Sequence, residues 1–353
     1  MATQQNGIVA EKNGQNLGRI TESRIGVGSG GKREDLEQWG AKPGPAVSGA
    51  RWLEQFETED ATLSIGLKTH RQWYANRFTC CIIKGICRPA AVIRSLAEEG
   101  LHPVLCEIEE DGVYAMASIW LNIIQDSVCG SYHEVVISFD VSRTAMDRPA
   151  FRSNRANASW KMLYPNFGKS ACEAQFLHSL YIDSPISISW GREMQAFSKH
   201  PEQTITRITD EKNAIDYEVK WGSDNILSGR VQKRFGLRGL VRESGGLLKT
   251  QNWMGVGRFL AMAAFDVPII QPRKTADSYG LPTEYLAHLW KGLNPYALQA
   301  WPWTDDDQLL LGSVTKPTEC EEHNAHNLLR ISEFRPLIVT YSPKLSAFIE
   351  IPR

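Results

Sequence analysis

The chain has 353 residues, a formal net charge of −1 and 22% charged residues. A chain this close to neutrality has no basic footprint for nucleic acid or for an anionic membrane surface, and we expect neither as a partner. No apolar run approaches the roughly 18 residues that span a bilayer. The N-terminus lacks a secretory signal pattern, and the seven cysteines are scattered without two paired CxxC spacings. These features predict a cytoplasmic protein without a disulfide framework or a metal site.

The first 48 residues differ in composition from the rest of the chain. They are rich in Gly, Gln, Asn, Ser and Lys and carry almost no aromatic side chains. Such a segment buries too little apolar surface to offset the entropy lost on ordering. We therefore expect a disordered tail over residues 1–48 and one domain over residues 49–353.

Short segments rich in β-branched and aromatic residues begin near residue 75 and continue to about residue 238. They predict strands at 78–83, 113–124, 134–141, 175–182, 203–208, 214–221 and 225–235. Pro89 opens a short helical pattern, and Asp183 and Ser184 precede a second one that begins at Pro185. Because strand follows strand with few helical crossovers, the pattern favours a mainly β (α+β) fold with an antiparallel sheet or barrel.

The C-terminal third gives a weaker signal. Residues 281–291 are predicted to be helical, and residues 301–307, which contain two tryptophans and three consecutive aspartates, are predicted to form a loop. Two closing strands are predicted at 337–341 and 347–351.

Three separated motifs carry the functional signal. Asn76-Arg77 opens the first strand region, and Gly130-Ser-Tyr-His-Glu134 lies between two predicted strands. Residues 177–183 then lead into Gly191-Arg-Glu193 and Phe197-Ser-Lys199. A lone lysine at the end of a largely apolar segment is typical of a desolvated amine that forms a Schiff base with a carbonyl compound.

In order and spacing these motifs resemble the acetoacetate decarboxylase superfamily. The clear resemblance covers about residues 75–235 and is interrupted by an apparent insertion at about 143–172. It implies an antiparallel β-barrel with a few helices, self-association, and a small-molecule carbonyl substrate. It also implies that Lys199 is the Schiff-base lysine, that Glu134 is the carboxylate for proton transfer, and that Arg77 faces the substrate carboxylate. No cofactor is implied, because an iminium is itself the electron sink.

The chain departs from the family pattern at two places. The family usually has proline before the reactive lysine and a second lysine after it, whereas this chain has Ser198 and His200. A second acidic residue is expected on the strand before Glu134, and an ungapped match puts Ile119 at that position. The pocket is therefore expected to be more apolar. Further residues assigned to its wall are Arg192, Glu193, Phe197, His200, Ile119 and Tyr181.

The sequence thus predicts a Schiff-base lyase that acts on a β-keto acid or a larger, polyketide-like carbonyl compound, in specialised metabolism. Two alternatives stay open. The same lysine iminium could serve an aldolase, a dehydratase or a cyclase. The chain could also be a non-covalent small-molecule pocket in which Lys199 is a vestige.

Overall fold

The structure is a computed structural model that describes residues 60–109, 111–162, 174–195, 197, 199–200, 204–234, 266–273, 284–293, 299–312 and 328–349. The predicted tail at 1–48 lies outside these residues, as does the second part of the predicted insertion, 163–172. The start of the domain predicted at residue 49 also lies outside them.

Eighteen strands and three helices are bounded within these ranges, and residues 328–331 are also helical. The strands of the first half are β1 (Asp60–Thr62), β2 (Lys68–His70), β3 (Trp73–Cys87), β4 (His102–Pro103), β5 (Leu105–Ile108), β6 (Gly112–Ser127), β7 (Tyr132–Ser142), β8 (Phe151–Ser153) and β9 (Ala174–Ile182). Those of the second half are β10 (Lys199–His200), β11 (Thr204–Asp210), β12 (Ala214–Trp221), β13 (Asp224–Gln232), β14 (Asp266–Arg273), β15 (Glu284–Leu293), β16 (Gln299–Pro302), β17 (Gln308–Leu311) and β18 (Arg335–Ile349). The helices are α1 (Pro89–Ala97), α2 (Arg155–Met162) and α3 (Pro185–Gln195).

A twelve-stranded sheet forms the body of the fold, and most of its strand pairs are antiparallel. The order β7-β9-β14-β15-β18-β3-β6 returns to β7 through a further β6–β7 pairing. The link between β9 and β14 is a single residue pair, Gln175 with Ile269. The mainly β architecture with few helices is therefore confirmed, whereas a closed barrel stays a prediction.

The two faces of this sheet are buried in different cores. The face that carries Glu134 packs Phe78, Trp120, Val136 and Leu180 into the first core. The opposite face packs against a four-stranded sheet of β11, β12, β13 and β17 and forms the second core. Burial on both faces explains why β3, β6 and β7 read as nearly continuous apolar runs in the sequence.

Local signals at the helix ends are realised in the structure. Pro89 occupies the first turn of α1, where its missing N–H costs nothing. The hydroxyl of Ser184 accepts a hydrogen bond at 3.3 Å from the N–H of Ser187 and so caps α3. Asp183 instead accepts from the N–H of His133 at 2.7 Å, which ties the start of β7 to the end of β9.

The C-terminal third contains the main corrections to the predicted elements. The helix predicted at 281–291 is wrong over its described part, because residues 284–291 belong to β15, which pairs with β14 on one side and β18 on the other. Pairing on both edges overrides a weak local helix preference. The two predicted closing strands are parts of one strand, β18, which has register shifts between Pro336 and Ala347.

Candidate functional site

A partly open cavity lies in the first core, at the ends of β7 and β9. The cavity is small, with a volume of about 20 Å³, and the empty space around it amounts to about 370 Å³ when open solvent is included. Aromatic and aliphatic side chains line it together with one carboxylate: Trp73, Trp120, Tyr132, Glu134, Val136, Leu177, Leu180, Trp190, Phe197 and Ile349. A mostly apolar concave site with few polar groups is the usual form of a small-molecule site.

Glu134 supplies the carboxylate of this cavity. It lies on β7 and is 8% exposed, and its Oε1 accepts a hydrogen bond from Nδ2 of Asn122 at 3.2 Å. Asn122 lies directly across from Glu134 on β6 and is 1% exposed. An amide donor stabilises a carboxylate without adding a second proton-transfer group. The sequence analysis missed Asn122.

The backbone register relates Lys199 to the same cavity. In the parallel pair of β10 and β9, Lys199 is the partner of Leu180, and Leu180 is in turn the partner of Val136 on β7. Glu134 is two residues from Val136 along β7. Two strand spacings of about 4.8 Å and two residue rises of about 3.3 Å put the Cα atoms of Glu134 and Lys199 about 12 Å apart. His200 is the register partner of Tyr181.

Hydrogen bonds fix the aromatic wall of the cavity. Nε1 of Trp73 donates to the hydroxyl of Tyr132 at 3.0 Å, and Nε1 of Trp190 donates to the carbonyl of His70 at 2.8 Å. Burial raises the pKa of Tyr132 well above its ordinary value, and the charge of Glu134 adds to this, so the phenol stays neutral. Phe197, just after α3, is held by its N–H to the carbonyl of Gly191 at 3.0 Å.

Two residues assigned to the pocket wall lie on the other side of the sheet, and these assignments are corrected. Ile119 and Tyr181 are buried in the second core. Successive residues of a strand face opposite sides of a sheet, so Trp120 and Leu180, the neighbours of these residues, face the cavity instead. An ungapped match between sequences cannot detect this one-residue change of face.

Three charged residues assigned to the site are exposed and are not among the side chains that line this cavity. Glu193 accepts hydrogen bonds from the N–H and the hydroxyl of Ser64, at 2.8 and 2.7 Å, and so joins α3 to the turn before β2. Arg192 precedes it on the same helix. Arg77 lies on β3 at a register shift opposite Asp126. These positions favour structural roles for Glu193 and Arg77.

The described residues were compared with the requirements of a metal site and of a membrane-spanning helix. Within the described ranges, no three or more His, Cys, Asp and Glu side chains are grouped closely enough to hold a metal ion. No helix in the described part of the chain is long and apolar enough to cross a membrane.

Comparisons with known proteins give matches among solved structures. No protein-family model matches the sequence, and no curated protein matches it. An acetoacetate decarboxylase structure has a TM-score of 0.45 and 14% identity, covering 80% of this chain and 87% of that one. Acetoacetate decarboxylase from Legionella pneumophila has a TM-score of 0.46 and 12% identity, covering 80% and 86%. An acetoacetate decarboxylase-like enzyme from Sphingomonas wittichii RW1 has a TM-score of 0.40 and 11% identity, covering 80% and 91%. The chain is thus similar to acetoacetate decarboxylases at low identity.

Proposed function

We propose that this chain is a cofactor-independent carbon–carbon lyase in which Lys199 forms a Schiff base with a β-keto acid. One observation carries the proposal. Strand β9 separates Glu134 on β7 from Lys199 on β10, and Leu180 of β9, the register partner of Lys199, lines the cavity that contains Glu134. The register puts the strand that carries Lys199 next to this wall of the cavity, and an amine and a carboxylate are the two groups that this reaction needs.

The reaction uses the two groups in sequence. The neutral amine of Lys199 attacks the ketone carbon, and loss of water gives an iminium. The bond between the α-carbon and the carboxylate then breaks, and its electron pair moves into the iminium to give an enamine and CO2. Glu134 is the group placed to deliver a proton to the α-carbon. Hydrolysis of the new iminium releases the ketone and regenerates the amine.

The apolar wall suits this chemistry. Burial penalises charged groups, so an apolar cavity favours a neutral amine over an ammonium ion. It also replaces water around the substrate carboxylate, a charge that is lost when CO2 departs. Trp73, Trp120, Trp190 and Phe197 give the cavity a large apolar surface. This supports a hydrophobic or polyketide-like oxo acid over acetoacetate, and with it a role in specialised metabolism.

The remaining expectations from the sequence belong to the same proposal. We place the enzyme in the cytoplasm, acting as a homo-oligomer on a small carbonyl compound, with the main sheet closed into a barrel round the cavity. The cyclic order of strand pairings from β7 through β14 and β18 back to β6 supports the barrel.

Aldol, dehydration or cyclisation chemistry on the same iminium is the second candidate. Among the described residues that line the cavity Glu134 is the one carboxylate, and its cross-strand partner is an amide, Asn122. The resembled family is expected to have a second acidic residue for acetoacetate decarboxylation, and this departure favours another reaction of the same iminium.

Product analysis tests the proposal. The purified chain is incubated with 3-oxo acids that differ in chain length and ring content, and CO2 and ketone are measured. The proposal predicts CO2 release that is lost in Lys199→Ala and retained in Lys68→Ala, a matched change at an exposed lysine of β2. Carbonyl products without CO2 would favour the second candidate. Turnover that survives Lys199→Ala would overturn both.

A further inference from the structure

A buried polar layer lies next to the cavity, inside the same sheet. We define it by six side chains, each 5% exposed or less: Lys84, Ser138, Asp140, Gln175, Gln271 and Thr340. Neither the proposed reaction nor any motif in the sequence accounts for it. Six buried polar side chains in one layer are costly unless they pair with one another or with a bound group.

The strand registers place this layer at the floor of the cavity. Ser138 lies two residues beyond the cavity residue Val136 on β7, and its partner across to β9 is the cavity residue Leu177. Ser118 on β6 pairs with Ser138 on one side and with Lys84 of β3 on the other. Side chains at every second residue share a face, so Glu134 and Ser138 face the same interior. Four residue rises separate these two residues by about 13 Å.

Only part of the layer is satisfied by internal hydrogen bonds. Nε2 of Gln175 donates to Oδ1 of Asp140 at 2.9 Å, and the hydroxyl of Ser138 donates to Oε1 of Gln175 at 3.3 Å. Oε1 of Gln271 and Oγ1 of Thr340 are buried and have no hydrogen-bond partner among the described residues.

Lys84 is the cation of the layer. Its side chain is 5% exposed, no hydrogen bond or ion pair within 4 Å joins it to another described residue, and the charge of Asp140 lies close enough to interact with it. A buried ammonium is costly unless it is paired and hydrogen-bonded. A bound anion beside Lys84 would supply the direct contact that the described side chains do not make.

The charge of the layer indicates the chemistry of that occupant. Burial raises the pKa of Asp140 above its ordinary value, although the charge of Lys84 and the hydrogen bond from Gln175 oppose this. Oδ1 of Asp140 already accepts the hydrogen bond from Gln175, and no direct ion pair between Asp140 and Lys84 is seen among the described residues. An anionic oxygen group contacting Lys84 would also accept a hydrogen bond from the hydroxyl of Thr340, which has no partner among the described residues.

We propose that the polar layer binds a second, distal carboxylate of the substrate, with Lys84 as its counter-ion. The inference rests on the proposed function for the identity of the reacting end. It names the substrate class as an elongated oxo acid whose ketone reacts beside Glu134 and whose far end carries a carboxylate about 13 Å deeper, the length of four residue rises in a strand. The apolar middle of such a molecule contacts Trp120, Val136 and Leu177.

Binding of a matched pair of unreactive probes tests this subsite. Octanoate and octanamide have the same length and differ in charge, and neither has a ketone. Their affinities are measured by calorimetry on the full chain carrying Lys199→Ala, so that no Schiff base contributes. We expect octanoate to bind about tenfold or more tightly than octanamide, because a charge-assisted bond replaces a neutral one. Adding Lys84→Met should remove this preference and leave octanamide binding unchanged.

The possible results separate the subsite from the reaction. Equal affinities of the Lys199→Ala chain for the two probes would overturn the subsite and indicate that water occupies the layer. This result does not depend on whether Lys84→Met folds. A preference for octanoate that persists in a folded Lys84→Met variant would also overturn it. A Lys84-dependent preference in a chain that turns over no oxo acid would support the subsite and contradict the proposed function.

Discussion

Replacing Glu134 with glutamine is the change that most sharply separates the two proposed catalytic groups. The buried carboxylate accepts a hydrogen bond from Asn122 at 3.2 Å, and the amide oxygen of glutamine can accept the same bond. A hydrogen bond to a charged group is worth about 1.5–3 kcal/mol and a neutral one about 0.5–1.5 kcal/mol. The weaker hydrogen bond in the variant is offset because glutamine does not bury a charge. We expect the free energy of unfolding to change by no more than about 1.5 kcal/mol.

The effect on turnover should be far larger than the effect on stability. Loss of a positioned general acid typically costs about 100- to 10,000-fold in rate, and we expect Glu134→Gln to lose turnover in this range. Formation of the iminium needs the amine of Lys199 and not the carboxylate, so the adduct should still form. Steady-state kinetics gives the rate, and borohydride reduction followed by mass measurement gives the adduct.

The matched control is Glu193→Gln, which alters an exposed carboxylate that binds Ser64. It should retain full turnover. Unchanged turnover in a folded Glu134→Gln variant would refute the proton-transfer role. Loss of the adduct together with turnover would show instead that Glu134 acts in forming the iminium.

Three further predictions follow from other parts of the structure. Burial raises the pKa of Cys87 and of Cys106 to about 12 from 9.0, so above pH 9.0 the folded chain keeps protons that the unfolded chain releases. The free energy of unfolding should therefore fall by up to about 1.4 kcal/mol per pH unit for each thiol between pH 9.0 and about pH 12. Urea unfolding across this pH range measures the slope, and Cys87→Ala should make the slope smaller. Gly85→Ala should destabilise the chain by about 1–3 kcal/mol in urea, because the added Cβ would lie 2.3 Å from the carbonyl oxygen of Arg335; unchanged stability would contradict this packing. Arg77→Gln should leave KM for an oxo acid unchanged, since Arg77 is exposed and outside the cavity lining; a raised KM would restore its predicted role.

The strands that hold the site were predictable because both of their faces are buried. Segments 113–124 and 134–141 are almost uninterrupted in apolar and β-branched residues, and they lie within β6 and β7. Pro89 and Ser184 marked the helix starts through chemistry that acts over one turn. Such local signals do not depend on distant parts of the chain.

Cross-strand register was not predictable from the same signals. Seven residues separate Ile124 from its partner Tyr132, and β6 continues past that pair to meet β3. This connection is not a tight hairpin turn, so the register cannot be found by counting residues outward from it. Asn122 could therefore not be identified from the sequence as the partner of Glu134. The bulge between Ile137 and Ser138 likewise shifts the pairing with β9. Register decides which side chains enter the cavity, which is why Trp120 and Leu180 were missed while Ile119 and Tyr181 were chosen.

The polar layer was beyond sequence analysis for a related reason. Lys84, Asp140 and Gln271 lie on three strands far apart in the chain, and each stands between two uncharged residues. A lone charged residue in a strand is most simply read as solvent-exposed. Only the assembled sheet brings these residues to one face beneath the cavity.

An iminium at Lys199 is the central claim, and reductive trapping tests it most directly. The full chain is incubated with a hydrophobic 3-oxo acid, reduced with borohydride, and digested for peptide mass mapping. The account predicts an adduct on the peptide that contains Lys199 and its absence in Lys199→Ala. An adduct on Lys84 instead, or turnover without an adduct on any lysine, would contradict it.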